Sequence, residues 1–190
     1  GTMMKVNILS NSWGGGSFAQ ALFDAIEESE KAGILFVAAA GNSSSNNDRF
    51  NSYPSNYDVP NVMSVAAATN RDRLASFSSY GATKVHVAAP GHHVYSTVPE
   101  GYESFSGTSM ACPHVAGAAA LMMAHDETWD YAEVKDRLIR TSVPTLGFRD
   151  RVASNGRINV WNAINNVETE SDFPTEEDWK GEVEKIESAH

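Results

Sequence analysis

The segment at residues 108–124 restricts the fold of this chain more than any other part of the sequence. Thr108, Ser109 and His114 are its polar residues, and every other position is apolar or small. A helix that is apolar on all sides belongs in the middle of a protein core. The sequence therefore predicts a central helix that other layers of structure must surround.

Residues 6–10 and 34–40 are short, mostly apolar runs on either side of a segment with helical spacing. Within that segment, residues 17–32, Ser17 and Gln20 form a capping-box pattern at the start. Apolar side chains then recur at a helical period: Phe18, Leu22, Ala25 and Ile26. A strand, a crossover helix and a second strand predict an α/β fold with a parallel sheet and a right-handed connection.

Further elements follow along the chain. Residues 62–67 and 85–89 have the composition of strands, and residues 131–140 and 158–164 that of peripheral helices. The long loop at residues 42–61 is rich in Asn, Ser, Tyr and Pro. A loop of this length inside a compact domain is more often functional than idle.

The charge of −10 is concentrated at the end of the chain. Residues 167–190 hold nine Asp and Glu against two Lys, which leaves −3 for residues 1–166. We therefore expect one domain at 1–166 and an acidic tail or linker at 167–190, with a short helix at 175–187. An acidic body without a basic stripe argues against nucleic-acid binding.

Other features bound the class of protein. The longest apolar stretch, residues 34–40, is too short to span a membrane. The first residues have neither the basic start nor the long apolar core of a signal peptide, so we expect none in this chain. Cys112 is the single cysteine, which excludes an internal disulfide and a multi-cysteine zinc site.

Ser109 lies in the sequence Gly-Thr-Ser-Met-Ala-Cys-Pro-His-Val-Ala-Gly, residues 107–117, between a glycine and the first turn of the central helix. The unpaired N–H groups of a helix start favour a developing oxyanion. A lone serine there would most often be a helix cap. The eleven residues together, however, resemble the nucleophile motif of the subtilisin-like serine proteases (peptidase S8, the subtilase family).

The resemblance covers residues 6–164, because four further segments occur in the family's order: 11–15, 38–42, 76–81 and 88–91. It implies a three-layer subtilisin-like fold with a parallel sheet, without the N-terminal strands of the family domain. It also implies a serine endopeptidase that acts on peptide bonds through an acyl-enzyme at Ser109. Asn42 would be the side-chain donor of the oxyanion hole, although by local sequence it resembles a left-handed turn residue.

The same resemblance implies which residues bind the polypeptide substrate. Three would pair with an extended substrate backbone as an edge strand: Ser12, Trp13 and Gly14. Three small residues would form one wall of the S1 pocket: Ala39, Ala40 and Gly41. Trp13 as an ordinary core residue is the alternative.

A serine hydroxyl needs a histidine base and an acid that orients it. The family's Asp and His precede the serine, and no segment here resembles either one. His114 lies about 1.4 helical turns past Ser109 and faces elsewhere, and His92 and His93 are expected to face solvent. Asp24, Asp58 and Asp72 are expected to be ordinary solvated carboxylates.

We therefore expect the chain to be close to inactive alone. We also expect it to associate with a missing N-terminal half of the catalytic domain, or with a second copy, because open sheet edges invite pairing. Family membership further implies calcium, with Asn56, Tyr57 and Asp58 in a region where a weak cation can bind, and a secreted, extracellular location. The metal ligands stay unassigned.

Two other classes of function remain as alternatives. The first is a non-catalytic interaction module that retains the fold, which the intact motifs around Ser109 and Asn42 disfavour. The second is an α/β-hydrolase esterase, because residues 107–111 resemble G-x-S-x-G. Ala111 occupies the final glycine position, and no Asp and His segments follow in the required order.

Overall fold

The structure, a computed structural model, describes residues 4–171 and residue 173. The strands are β1 (Ile8–Asn11), β2 (Leu35–Ala39), β3 (Val62–Ala68), β4 (Val87–Pro90), β5 (Val94–Val98), β6 (Gly101–Phe105), β7 (Val143–Pro144) and β8 (Gly156–Arg157). The helices are α1 (Gln20–Lys31), α2 (Thr108–His125), α3 (Tyr131–Arg140) and α4 (Val160–Asn165). Among the helices described, none is long and apolar enough to cross a membrane.

Six strands form one sheet in the order β1-β2-β3-β4-β8-β7. Four neighbouring pairs are parallel: β1–β2, β2–β3, β3–β4 and β4–β8. The short strand β7 runs antiparallel to β8. The carboxyl ends of β1, β2, β3 and β4 therefore meet at the same edge of the sheet, where loops in parallel α/β folds carry functional residues. β5 and β6 form a separate antiparallel hairpin.

Helices cover both faces of the sheet, which confirms the three-layer α/β fold. In β2 the side chains of Leu35, Val37 and Ala39 pack into the core under α2. Those of Phe36 and Ala38 pack with Ile26 of α1 on the opposite face. Successive residues of a strand alternate between faces, so a buried parallel strand is apolar throughout.

The burial of α2 differs from the expectation for a surrounded helix. One face is buried against the sheet through Ala111, Val115, Ala118, Ala119 and Met122. The opposite face is apolar yet exposed, and Leu121 on it is 61% exposed. We call this face the α2 stripe; its residues are Pro113, Gly117, Ala120, Leu121 and Ala124. Within the described residues, nothing covers it.

Two further expectations need correction or extension. α1 begins at Gln20, and its N-cap is Ala19 without a side-chain hydrogen bond, so the capping box at Ser17 is wrong. The hairpin β5–β6 was not predicted, because its side chains are mostly exposed and carry no core-facing pattern. The helix predicted at 175–187 lies outside the described residues.

Gly91 connects the sheet to the start of α2. Its N–H donates to the carbonyl of Ala68 at 3.0 Å, and its carbonyl accepts from the N–H of Gly107 at 2.8 Å. A Cβ at Gly91 would lie 2.6 Å from the Cβ of Ala67 and 2.8 Å from the Gly107 carbonyl oxygen. Only glycine allows this approach, which fixes the residue that precedes the first turn of α2.

We expect Gly91→Ala to destabilise the chain by about 1–3 kcal/mol, because the added methyl group overpacks the junction. The matched control is Gly117→Ala, where a Cβ meets nothing within 4 Å. That change should stabilise α2 by about 0.5–1 kcal/mol. Urea unfolding followed by circular dichroism measures both. Equal effects of the two substitutions would contradict the proposed role of Gly91.

Candidate active site

Ser109 lies in the first turn of α2, after the N-cap Gly107. Its side chain is partly exposed, whereas its neighbour Thr108 is 1% exposed. In the described part of the chain, the backbone N–H of Ser109 has no acceptor. A free N–H at a helix start, next to an accessible hydroxyl, is a suitable donor for negative charge that develops beside that hydroxyl.

Ser109 and Ser12 hydrogen-bond to each other. The Ser109 hydroxyl donates to the backbone carbonyl of Ser12 at 3.0 Å, and the Ser12 hydroxyl donates to the backbone carbonyl of Ser109 at 2.8 Å. These two bonds join the loop after β1 to the first turn of α2. In this arrangement the hydroxyl of Ser109, the candidate nucleophile, is hydrogen-bonded to a carbonyl oxygen. The side chain must rotate to break this bond before the hydroxyl can react.

The amide of Asn42 is oriented by Thr108. Its Oδ1 accepts from both the N–H and the hydroxyl of Thr108, each at 2.9 Å. The Thr108 hydroxyl in turn accepts from the N–H of Gly41 at 3.2 Å. With Oδ1 occupied, Nδ2 is left as a donor, and it has no acceptor among the described residues. The sequence indicated Asn42 but not Thr108, whose position in a helix start resembled an ordinary cap.

A cavity of about 450 Å³ lies beside Ser109 and Asn42. Its lining includes Asn42 and Ser109 together with five of the six residues predicted to bind substrate: Ser12, Trp13, Gly14, Ala39 and Gly41. Trp13 is 51% exposed, so the alternative of a core tryptophan is wrong. Binding of substrate by the five residues stays a prediction, and their position at one cavity agrees with it.

Ala40 does not line this cavity. It is fully buried with Ala66, Ala88 and Phe148 on the sheet face opposite to α2. Neighbouring residues of a strand point to opposite faces, so Ala39 faces the cavity and Ala40 faces away. The Ala40 side chain therefore lies away from the cavity, and a role of residue Ala40 in the wall of the S1 pocket stays a prediction.

The thiol of Cys112 offers no alternative nucleophile. It is fully buried, and its Sγ lies 3.5 Å from the carbonyl oxygen of Val37. Burial raises the pKa of this thiol, although a contact with Ser10 opposes the shift. A buried neutral thiol is chemically inert, which leaves Ser109 as the accessible nucleophile at the start of α2.

None of the histidines in the described residues hydrogen-bonds to Ser109. The Nδ1 of His114 lies 2.8 Å from the carbonyl oxygen of Met110 in its own helix. Burial, with the nearby charges of two lysines, lowers the pKa of His86 to about 3, and this ring accepts from the N–H of Ser64. His92 stacks on Phe77 and is half-buried, whereas His93 is exposed as expected.

The carboxylates that the sequence offered as candidates are engaged elsewhere. Asp24 accepts from Gln20 on the surface of α1. Asp72 is ion-paired with Arg157 at 2.6 Å and is therefore not the free solvated group expected. Neither carboxylate orients a histidine, so within the described residues neither of them forms a His–Asp pair beside the candidate nucleophile Ser109.

The region at residues 56–58 does not fit a calcium ion. The Asn56 amide donates to the protein backbone, and the Asp58 carboxylate is 96% exposed. The carbonyls of Pro60 and Val62 accept from the ammonium of Lys135 at 2.8 and 2.7 Å, so a protein cation already occupies these oxygens. No group of three or more His, Cys, Asp or Glu in residues 4–171 and 173 is placed to hold a metal. Calcium stays a prediction from the resemblance.

Comparison with known proteins identifies the scaffold. Residues 2–172 match the family model of the subtilases, peptidase S8. The chain belongs to the subtilase family. This subtilase chain is 44% identical over 143 residues to subtilisin DY of Bacillus licheniformis, covering 74% of the chain and 51% of that protein. It is 37% identical over 169 residues to subtilisin-like protease 2 of Plasmodium falciparum, covering 84% of the chain and 13% of that protein.

Two solved structures resemble this subtilase chain with a TM-score of 0.73. The prenylagaramide maturation protease PagA is 28% identical, and the match covers 87% of the chain and 63% of that structure. The self-cleaved protease domain of PatA is 29% identical, with 85% and 62% covered. The chain thus spans about half of the Bacillus relative and less than two thirds of either structure.

We expect Thr108→Val to destabilise the chain by about 1–3 kcal/mol, because it leaves the N–H of Gly41 without its acceptor. It also removes one of the two donors that orient Asn42. Thr108→Ser keeps the hydroxyl and is the matched control. Urea unfolding of both variants tests this role. If Thr108→Ser unfolds as readily as Thr108→Val, the hydroxyl does not organise the site.

Proposed function

We propose that this chain carries the nucleophile and the oxyanion hole of a serine endopeptidase that cleaves peptide bonds through an acyl-enzyme at Ser109. The observation that supports the proposal most is the pair of free donors beside one accessible serine: the N–H of Ser109 and the Nδ2 of Asn42. Two donors near a serine hydroxyl are what acyl transfer requires, since negative charge develops on the carbonyl oxygen under attack.

In the proposed reaction the Ser109 hydroxyl leaves the Ser12 carbonyl and attacks the substrate carbonyl carbon. A histidine takes the hydroxyl proton, and the oxyanion is stabilised by the N–H of Ser109 and the amide of Asn42. The proton then passes to the leaving amine, and water hydrolyses the acyl-enzyme. The neutral amide of Asn42 suits the role of oxyanion donor, because it donates a hydrogen bond to negative charge without itself gaining or losing a proton.

We propose that the histidine and its aspartate belong to another part of the catalytic domain. A serine hydroxyl is a weak nucleophile without a base. In a member of this family, loss of the serine or histidine lowers kcat by about 2 × 10⁶. This chain should therefore be nearly inactive alone, and activity should require the part of the catalytic domain that supplies the histidine and the aspartate.

Two open surfaces would receive that half. The α2 stripe is an apolar helix face without cover in the described residues, and β1 is an edge strand with one unpaired side. The helix that carries the stripe and the loop after β1 meet at Ser109, where the hydroxyl and carbonyl groups of Ser12 and Ser109 hydrogen-bond to each other. Exposed edges and apolar patches tend to pair, so a second copy of the chain is the expected occupant when the N-terminal half is absent.

The proposed substrate is an extended polypeptide. Residues 12–14 would pair with its backbone, and the small residues Ala39 and Gly41 leave room for a large side chain in the cavity. The two similar structures are those of a maturation protease and of a self-cleaved protease domain. An extracellular location is part of the proposal as well, and detection of the full-length protein outside the cell would test it.

A fluorophosphonate probe tests the catalytic proposal. In the longer protein that supplies the His and Asp, the probe should label Ser109, and Ser109→Ala should abolish labelling. Asn42→Ala should slow labelling by about 10²–10³-fold, the size of effect measured for an oxyanion donor in a member of this family. Ser104→Ala, on the exposed hairpin, is the control and should label normally.

Failure of the probe to label the longer protein, with its upstream half intact, would overturn the protease proposal. The non-catalytic interaction module would then be the better account of the fold.

Leu121→Glu tests the proposed docking surface. A carboxylate in the middle of the α2 stripe would have to be buried in the assembled domain, so association with a separately produced N-terminal half should weaken by about tenfold or more. Phe50→Glu is the matched control, since Phe50 is 67% exposed and lies in the loop after β2. Size-exclusion chromatography with light scattering measures both. Equal binding of the two variants would exclude the α2 stripe as the interface.

A further inference from the structure

We propose that a cavity lined by two arginines binds the acidic C-terminal segment of the same chain. The cavity has a volume of about 640 Å³ and shares no lining residue with the cavity that Ser109 and Asn42 line. Its lining includes Arg73, Tyr80, Leu146, Gly147 and Arg151. We call it the arginine cavity, and residues 174–190 the acidic segment.

The two cavity arginines have no carboxylate partner in the part of the chain that the structure describes. By contrast, Arg137, Arg140 and Arg157 each form an ion pair at 3.0 Å or less. Arg49 and Arg71 also form no ion pair among the described residues, and Arg73 and Arg151 differ from them in lining one common cavity. A planar guanidinium presents paired donors that match a carboxylate, which makes the arginine cavity suited to acidic groups.

The cavity is held in place by contacts of its own. The Arg151 guanidinium lies 4.4 Å from the ring centroid of Tyr80, which orients it. A Cβ at Gly147 would lie 2.4 Å from the carbonyl oxygen of Asp72 and 2.7 Å from the Cα of Arg73. This close packing fixes the segment around Arg73 against the turn that carries Leu146. The two arginines therefore line a cavity whose walls are held in place.

The described chain ends against Arg149, in the turn at residues 146–151 that contributes Leu146, Gly147 and Arg151 to this cavity. After α4, Glu168 pairs with Arg140 at 3.0 Å and Thr169 accepts from Asn162 at 3.1 Å. Phe173 then lies under Arg149, with its ring centroid 5.6 Å from the guanidinium carbon. Arg149 belongs to the same turn as three of the cavity residues, so the acidic segment follows directly after a residue that contacts this turn.

The composition of the acidic segment complements the arginines. It contains six Asp and Glu against two Lys, with three consecutive acidic residues at 176–178. An extended chain spans about 3.3–3.6 Å per residue, so residues 176–178 can lie about 10–18 Å from Phe173. Trp179 follows them, and Leu146, 69% exposed at the cavity, offers it an apolar surface.

Cleavage by chymotrypsin at Trp179 tests the proposal, followed by intact mass in the full chain carrying Ser109→Ala to prevent self-digestion. Cleavage of a docked segment proceeds through its undocked form, so its rate follows the undocked population. Arg73→Glu with Arg151→Glu should accelerate cleavage by about tenfold. The control, Arg49→Ala with Lys31→Ala, removes two exposed charges outside the cavity and should leave the rate unchanged.

A charge exchange makes the test specific. Lysines in place of Glu176, Glu177 and Asp178 should also accelerate cleavage by about tenfold, and their combination with the two glutamates at 73 and 151 should restore protection. In 0.5 M salt, where charges are screened within a few ångströms, the unsubstituted segment should be cleaved as fast as the variants. Circular dichroism confirms that each body remains folded.

Three results would overturn the proposal. Cleavage at the same rate in the arginine variant and the control would show that the cavity does not hold the segment. Protection that rises with protein concentration would assign the segment to the cavity of a second copy. Acceleration by the arginine variant without rescue in the charge exchange would mean that the cavity binds another anion.

Discussion

Hydrogen bonds that meet at Thr108 hold the end of β2 against the start of α2, and the candidate active site depends on them. The Thr108 hydroxyl and N–H bind one oxygen of Asn42, while the same hydroxyl accepts from Gly41. The amide of Asn42 is thereby turned so that its NH₂ group is the free end. Gly91 also stabilises this junction, because its backbone hydrogen-bonds to Ala68 of β3 and to Gly107, the residue before Thr108. The parallel sheet and the start of α2 thus meet at the two groups proposed as oxyanion donors.

Much of this arrangement could be predicted from the sequence. The elements that bury apolar residues have strong patterns, and the structure confirms the first strand–helix–strand unit, the central helix and α3 at residues 131–140. The role of Thr108 could not be predicted, because a threonine at a helix start has the same local sequence whether or not it orients a distant amide. The direction of the Ala40 side chain could not be predicted for a related reason: β2 and the residue after it are buried, so their composition does not show which side chains face the cavity.

The exposed face of α2 has a different origin. Its sequence is apolar on all sides, which predicts complete burial, yet the described residues cover one face only. A helix that is apolar on all sides is one that becomes buried on all sides, and part of that cover can come from another segment or chain. The stripe, the open edge of β1 and the partial coverage of the relatives are consistent with a catalytic domain completed by another segment. The arginine cavity is a separate feature, formed on residues around Arg73 and Arg151.

The structure of the completed domain, trapped with a phosphonate on Ser109, tests the central claim most directly. We predict a phosphonate oxygen about 2.7–3.1 Å from both the N–H of Ser109 and the Nδ2 of Asn42. A histidine from outside these 190 residues should approach the serine oxygen, with Leu121 buried under the added half. A phosphonate oxygen that avoids Asn42, or a Leu121 still exposed in the labelled domain, would contradict this account.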